Sequence, residues 1–177
     1  GTSIKLPKVS VGATENLLMA ASLADGETTI SNAACEPEVL DLADCLIKMG
    51  AMIDGAGTTQ VRVSGVDRLG SAEHDVLPDR IETATYAVAA AITGGSLELI
   101  GTRLDLIQSV AEKFHAVGVE LKAQNDGVEV HRDGNQLEAV NIETGPYPGF
   151  PTDMQAQMMA LMTVAEGVSK ITENIFE

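Results

Sequence analysis

Positive charge is scarce in this sequence: 11 lysines and arginines stand against 26 aspartates and glutamates, a net charge of −15 over 177 residues. So negative a surface excludes nucleic acid and anionic membranes as partners, because both repel it. It also leaves few side chains to neutralise a phosphorylated ligand. Cysteine is nearly absent too. Cys35 and Cys45 cannot make a disulfide framework, so a reducing, cytoplasmic compartment is expected and both thiols are read as small apolar packing groups. No apolar run reaches the ~18 residues that a membrane helix needs. None of the residues forms a signal-peptide pattern. His74, His115 and His131 lack metal-ligand spacing, and no metal or cofactor is expected. What the chain does have is apolar content, 45% of its residues, enough for a packed core and too much for disorder.

That apolar content is arranged as a repeat. Thr14–Ile30 ("TENLLMAASLADGETTI"), Thr83–Ile100 ("TATYAVAAAITGGSLELI") and Met154–Ile171 ("MQAQMMALMTVAEGVSKI") each read as a small-residue helix, a turn with Gly, and a short strand. The turn glycines Gly26, Gly95 and Gly167 are 69 and 72 residues apart. "CLIKMGAMI" and "KFHAVGVEL" match in the same way, with Gly50 and Gly118 separated by 68 residues. The repeating unit is therefore helix, strand, helix, strand, strand. One copy is expected from about Val11 to Leu77 and a second from about Asp79 to Asn141, with a third that stops at Glu177. A chain that starts Gly-Thr-Ser and stops inside a unit is expected to be a piece of a longer polypeptide.

The local signals agree. A helix is predicted over Glu36–Met49 with Pro37 at its first position, and another over Asp105–Val117. Thr102 with Asp105, Asp79 with Glu82, and Thr152 with Gln155 have the spacing of capping boxes. "ATYAVAAAI" is apolar nearly all round, which predicts a buried helix. "QVRVSG", "VELKA" and "VEVHR" alternate apolar and charged residues, which predicts strands with one wet face. Helices inside and sheets outside is the reverse of a doubly wound nucleotide-binding fold. "GAGTTQ" (Gly55–Gln60) begins like a dinucleotide fingerprint but lacks the third Gly, and reads as a hairpin turn.

Two stretches could carry chemistry. "KVSVGATEN" (Lys8–Asn16) places a Lys, a Ser and a Gly ahead of a helix start, where free backbone amides attract anions and Gly lets a ligand approach closely. An ordinary loop-to-helix turn fits the same spacing. In "YPGFPTDMQAQ" (Tyr147–Gln157), capping by Thr152 would release Asp153 to the first helical turn, where it could accept a proton from a hydroxyl or bind a sugar. Asp is also common there for purely structural reasons. Arg80 could contact an anionic ligand or pair with an acidic neighbour. Glu36 and Glu38 read as decoration of a helix start, and Met154, Met158 and Met162 as core.

Five collinear stretches, "KVSVGATEN", "NAACEPEVLDLA", "VLPDRIETATYAVAAAI", "FPTDMQAQMMAL" and "ITENIFE", resemble the enolpyruvyl transferases that act on UDP-N-acetylglucosamine, over nearly the whole chain. The resemblance implies an α/β (α+β) fold, an inside-out barrel of the repeated units. Residues 1–78 would be the last repeat unit of one domain, and 79–177 the first unit and part of the second of the other. It implies transfer of the enolpyruvyl group of phosphoenolpyruvate to the sugar 3-hydroxyl, at the start of peptidoglycan synthesis. Lys8, Val9, Ser10, Val11 and Gly12 would hold the nucleotide part. Asp153 would take part in deprotonating the hydroxyl, with Thr152 beside it. Ile175 would hold the sugar through its backbone, with Phe176 adjoining. Arg80 would lie at the joint between domains.

The resemblance also implies that a mobile loop with a reactive Cys, a Lys-Asn pair and several arginines for phosphoenolpyruvate belong to the remainder of the parent polypeptide. Cys35 stands where related sequences often have Arg, and Tyr147 where His is common; neither Cys35 nor Cys45 is catalytic. The 177 residues alone are expected not to turn over substrate. The alternatives are the sister transferase acting on shikimate 3-phosphate, which shares the repeated fold, and a non-catalytic repeat module.

Overall fold

The structure is a computed structural model that describes residues 1–176. The chain divides into two compact units, Gly1–Leu77 and Pro78–Glu177, each with its own core.

The first unit runs β1 (Ser3–Lys5), α1 (Val11–Ala21), β2 (Glu27–Ser31), α2 (Pro37–Lys48), β3 (Met52–Asp54) and β4 (Gln60–Ser64). Its sheet order is β1-β2-β4-β3. β4 lies between β2 and β3 and is antiparallel to both, with Ile30 opposite Val61 and Ile53 opposite Val63. The predicted alternation is what puts Val61 and Val63 inside while Gln60 and Arg62 face water. The inner face packs on Leu18 of α1 and on Val39 and Ala43 of α2, all 0% exposed. Pro37 opens α2 at its first position, as its spacing predicts.

The second unit repeats the plan: α3 (Arg80–Thr93), β5 (Ser96–Ile100), a 3-10 turn (Leu104–Ile107), α4 (Gln108–Val117), β6 (Glu120–Gln124) and β7 (Gly127–His131). The sheet order β5-β7-β6, antiparallel throughout, is the counterpart of β2-β4-β3. Asp79 caps α3, its Oδ1 accepting from the amides of Ile81 and Glu82 at 2.8 and 3.0 Å. Gly118 ends α4 in the left-handed region (φ 96°), as Gly50 (φ 103°) does after α2. β8 (Ile142–Glu143), a 3-10 turn (Thr152–Met154), α5 (Gln155–Met162) and β9 (Ile171–Thr172) follow. β8 and β9 pair in parallel across α5, as β1 and β2 do across α1. Phe114, Met154, Met158 and Leu161, all 0% exposed, fill the core.

Three expectations need correction. The helix predicted over Asp105–Val117 is broken: a 3-10 turn ends at Ile107, whose φ −118°, ψ 27° is not helical, and α4 starts at Gln108. Thr102 does not cap it, because its hydroxyl is hydrogen-bonded to that of Thr83 at 2.9 Å. Gly95 lies in the turn between α3 and β5, as expected, beside Gly94, which takes the left-handed conformation (φ 72°). α3 is not buried all round, since Tyr86 is 54% exposed.

Candidate functional site

In the first unit the Lys8–Gly12 stretch leads into α1. Ser10 is extended (φ −151°, ψ 121°) and caps the helix, its Oγ accepting from the Ala13 amide at 3.3 Å. Thr14, 0% exposed, fixes that turn from behind. Its hydroxyl donates to the Ser10 carbonyl at 2.8 Å and accepts from the Ala34 amide at 3.0 Å. Val11 and Gly12 are the first two helical residues, whose amides a helix cannot satisfy internally. Among the described residues, nothing beyond its own helical turn lies within 4 Å of where a Cβ on Gly12 would sit, and no acidic residue occupies the first turn. Lys8 is exposed, three positions ahead of the helix. The turn therefore presents neutral donors, one cation and open space.

Behind it lies an acidic group. Burial first, then the neighbouring carboxylates of Glu38 and Glu36, push the Glu15 carboxyl above its usual range. Burial and Glu36 likewise push the Cys35 thiol up, so it is poor in thiolate. Glu36 Oε2 is buried and accepts no hydrogen bond among the described residues. Glu36 and Glu38 stand at the start of α2, as expected, and also form a carboxylate cluster with Glu15, which their separation in sequence concealed.

In the second unit the 151–154 turn carries Asp153, exposed, between Thr152 and Met154. Here the predicted capping box fails. Thr152 caps nothing; its hydroxyl donates to Glu173 Oε2 at 2.6 Å, and α5 begins at Gln155 without a side-chain cap. Asp153 accordingly lies in the 3-10 turn ahead of α5. Glu173 also accepts from the amides of Ile175 (2.5 Å) and Phe176 (3.1 Å). The hydrogen bond from Thr152, together with these two amides, holds its carboxyl down at about 2 against a burial effect that opposes it. Thr152 and the Ile175–Phe176 backbone are thereby brought together through one side chain. Met154, beside Asp153, is fully buried and anchors the turn to the core.

Arg80 occupies the first position of α3 and lines a cavity of about 230 Å³ with Gln108, Ser109, Glu112, Tyr147 and Pro151. Lys8 to Gly12 belong to the first unit, and Arg80, Thr152, Asp153, Ile175 and Phe176 to the second. Glu173 and Thr14 are the residues that sequence reasoning missed. Glu173 stands two and three residues before the amides it accepts from, the offset at which Asp79 caps α3, but no capping-box partner follows it; Thr14's partner Ala34 is 20 residues away, beyond any local spacing.

The family model described as EPSP synthase (3-phosphoshikimate 1-carboxyvinyltransferase) matches residues 1–177. Curated relatives named UDP-N-acetylglucosamine 1-carboxyvinyltransferase include those of Azorhizobium caulinodans, 57% identical, and Granulibacter bethesdensis, 60% identical, each over all of this chain. The chain spans 41% and 42% of their lengths. Among solved structures, the enolpyruvyl transferase NikO from Streptomyces tendae superposes with a TM-score of 0.77 at 25% identity, over 92% of this chain and 39% of its own. An EPSP synthase from Acinetobacter baumannii shares the fold, with a TM-score of 0.68 at 21% identity over 97% of this chain and 40% of its own. With two copies of one helix–strand unit, sheets of matching order, and a whole-length match, the chain belongs to the EPSP synthase family of enolpyruvyl transferases.

Proposed function

We propose that the chain is the central part of an enzyme that moves the enolpyruvyl group of phosphoenolpyruvate to the 3-hydroxyl of UDP-N-acetylglucosamine, the first committed step of peptidoglycan synthesis. The observation that carries this reading is identity of 57–60% over every residue to relatives named for that activity. Residues 1–78 supply the last repeat of one domain, and 79–177 the first repeat and part of the second of the other.

In this reading the amides of Val11 and Gly12, with Lys8, Val9 and Ser10, hold the nucleotide part of the acceptor. Neutral amides at a helix start suit a diphosphate. Asp153 accepts the proton of the 3-hydroxyl as its oxygen bonds to C2 of phosphoenolpyruvate, while C3 gains a proton. C3 then gives a proton up as the C2–O bond to phosphate breaks, leaving the enolpyruvyl ether and free phosphate. The Ile175 backbone, with Phe176 and Thr152 adjoining, holds the sugar, and Arg80 contributes a cation. Asp153→Asn tests the role of the base. In the full-length polypeptide it should lower kcat at least about 100-fold, with thermal unfolding unchanged, because the side chain is exposed. Wild-type turnover would favour a non-catalytic module. Titration with shikimate 3-phosphate in place of the UDP-sugar separates the sister activity.

A further inference from the structure

Asp153 and Ile175 are 22 positions apart, and among the described residues no hydrogen bond or ion pair of either side chain ties them together. Something else must hold the two in register for one sugar. We propose that Glu173 is a positioning residue that locks the Thr152–Asp153 turn and the Ile175–Phe176 backbone into one frame. The inference rests on the reading above, in which those two segments handle the acceptor.

The geometry carries it. The two carboxylate oxygens of Glu173 face different segments: Oε2 takes the Thr152 hydroxyl at 2.6 Å, and Oε1 takes the Ile175 and Phe176 amides at 2.5 and 3.1 Å. A charged acceptor makes each of these bonds stronger than a neutral one would. The 171–176 segment is itself tied down. Ile142 and Glu143 pair with Ile171 and Thr172, and the Thr144 amide donates to the Thr172 carbonyl at 3.0 Å. Buried Thr144 also accepts the Asn174 amide at 2.8 Å, and Asn174 Nδ2 donates to the Thr144 carbonyl and to Glu143. Glu173 therefore stands on a fixed base and reaches from it to the turn that carries Asp153. Its lowered pKa means that the clamp stays charged at any pH where the enzyme would work. Thr152 is likewise spent on this contact rather than on a helix cap.

The test is a set of variants read in two ways. In the 177-residue chain, hydrogen exchange at the Ile175 and Phe176 amides should speed up about 10-fold or more in Glu173→Ala, and less in Glu173→Gln, which keeps an acceptor of the same shape. In the full-length polypeptide, Glu173→Ala and Thr152→Val should each lower kcat/KM for the UDP-sugar about 10- to 100-fold, the scale of a small misplacement. KM for phosphoenolpyruvate should stay within about two-fold, Thr152→Ser should restore the rate, and the double variant should be no worse than either single one. Unchanged amide exchange, or losses that multiply in the double variant, would overturn the proposal. Asp153→Asn is run alongside. If it keeps its rate, the acceptor reading fails whatever Glu173 does; if it is dead while Glu173→Ala is unimpaired, only the positioning role fails.

Discussion

Thr14→Val is the sharpest probe of how the amide-bearing turn is built, because it changes chemistry at constant shape. Thr14 is 0% exposed and its hydroxyl makes two bonds of different worth. The Ser10 carbonyl that receives its proton is also bonded by the Thr14 amide at 3.0 Å, so removing the hydroxyl leaves that carbonyl satisfied and costs about 1 kcal/mol. The Ala34 amide has no such reserve. Ala34 is also 0% exposed, and its orphaned N–H costs about 2 kcal/mol. The added methyl returns about 0.8 kcal/mol of burial. The net expectation is a loss of about 2 kcal/mol. With a urea dependence of about 2 kcal/mol per molar, the unfolding midpoint drops by about 1 M. Thr14→Ser keeps both bonds and loses only a methyl, about 1 kcal/mol. Urea titration of the 177-residue chain followed by circular dichroism measures both variants, and hydrogen exchange at Ala34 reports the orphaned amide directly. A Val variant as stable as wild type, or a Ser variant as damaged as the Val one, would refute the claim that the hydroxyl rather than the volume holds the turn.

Glu173 makes stability depend on acid in a defined window: its folded pKa of about 2 lies below the ordinary 4.5, so its contribution is complete above about pH 4.5 and lost as pH falls through about 2. Urea midpoints at pH 7, 5, 3 and 2 should therefore fall more steeply for wild type than for Glu173→Gln between pH 4.5 and 2, and run parallel above that. Gly12→Ala should raise stability by about 0.5 kcal/mol, since the position is helical and the space around it open, while weakening UDP-sugar binding in the full-length polypeptide, as calorimetry would measure.

The repeat was legible because periodicity and punctuation survive without tertiary information. Pro37 and Asp79 act within four residues of themselves, and the strands around Val61, Val63, Val128 and Val130 alternate because one face of each is wet. Failures came where a side chain preferred a distant partner. Thr102 and Thr152 both have cap spacing, yet their hydroxyls bond Thr83 and Glu173, 19 and 21 residues away. No local rule sees such competitors. β1 and β8, the parallel partners of β2 and β9, were hidden for another reason: strands of three and two residues are too brief to show alternation. At the site, the donor turn could be read from Lys8, Ser10 and Gly12, but the frame around Asp153 needed the fold.

Scarcity of cations and the construction of the site are two sides of one solution. A chain with net charge −15 and a Glu15–Glu36–Glu38 cluster repels anions at long range. Screening confines that repulsion to about 8 Å at physiological salt. At contact distance, donors aimed by the backbone decide the outcome. The molecule sets up such donors with the same device each time: a side-chain oxygen that caps one or two amides and thereby orients their neighbours. Ser10 does this for α1, with open space beside Gly12, and Asp79 does it for α3. Glu173 does the same for the amides of Ile175 and Phe176, fixing the backbone there. Amides held in this way need no counter-charge and lose no side-chain entropy when a ligand arrives. An acidic chain can therefore present donors to an anion at contact range with one lysine and an ordered backbone.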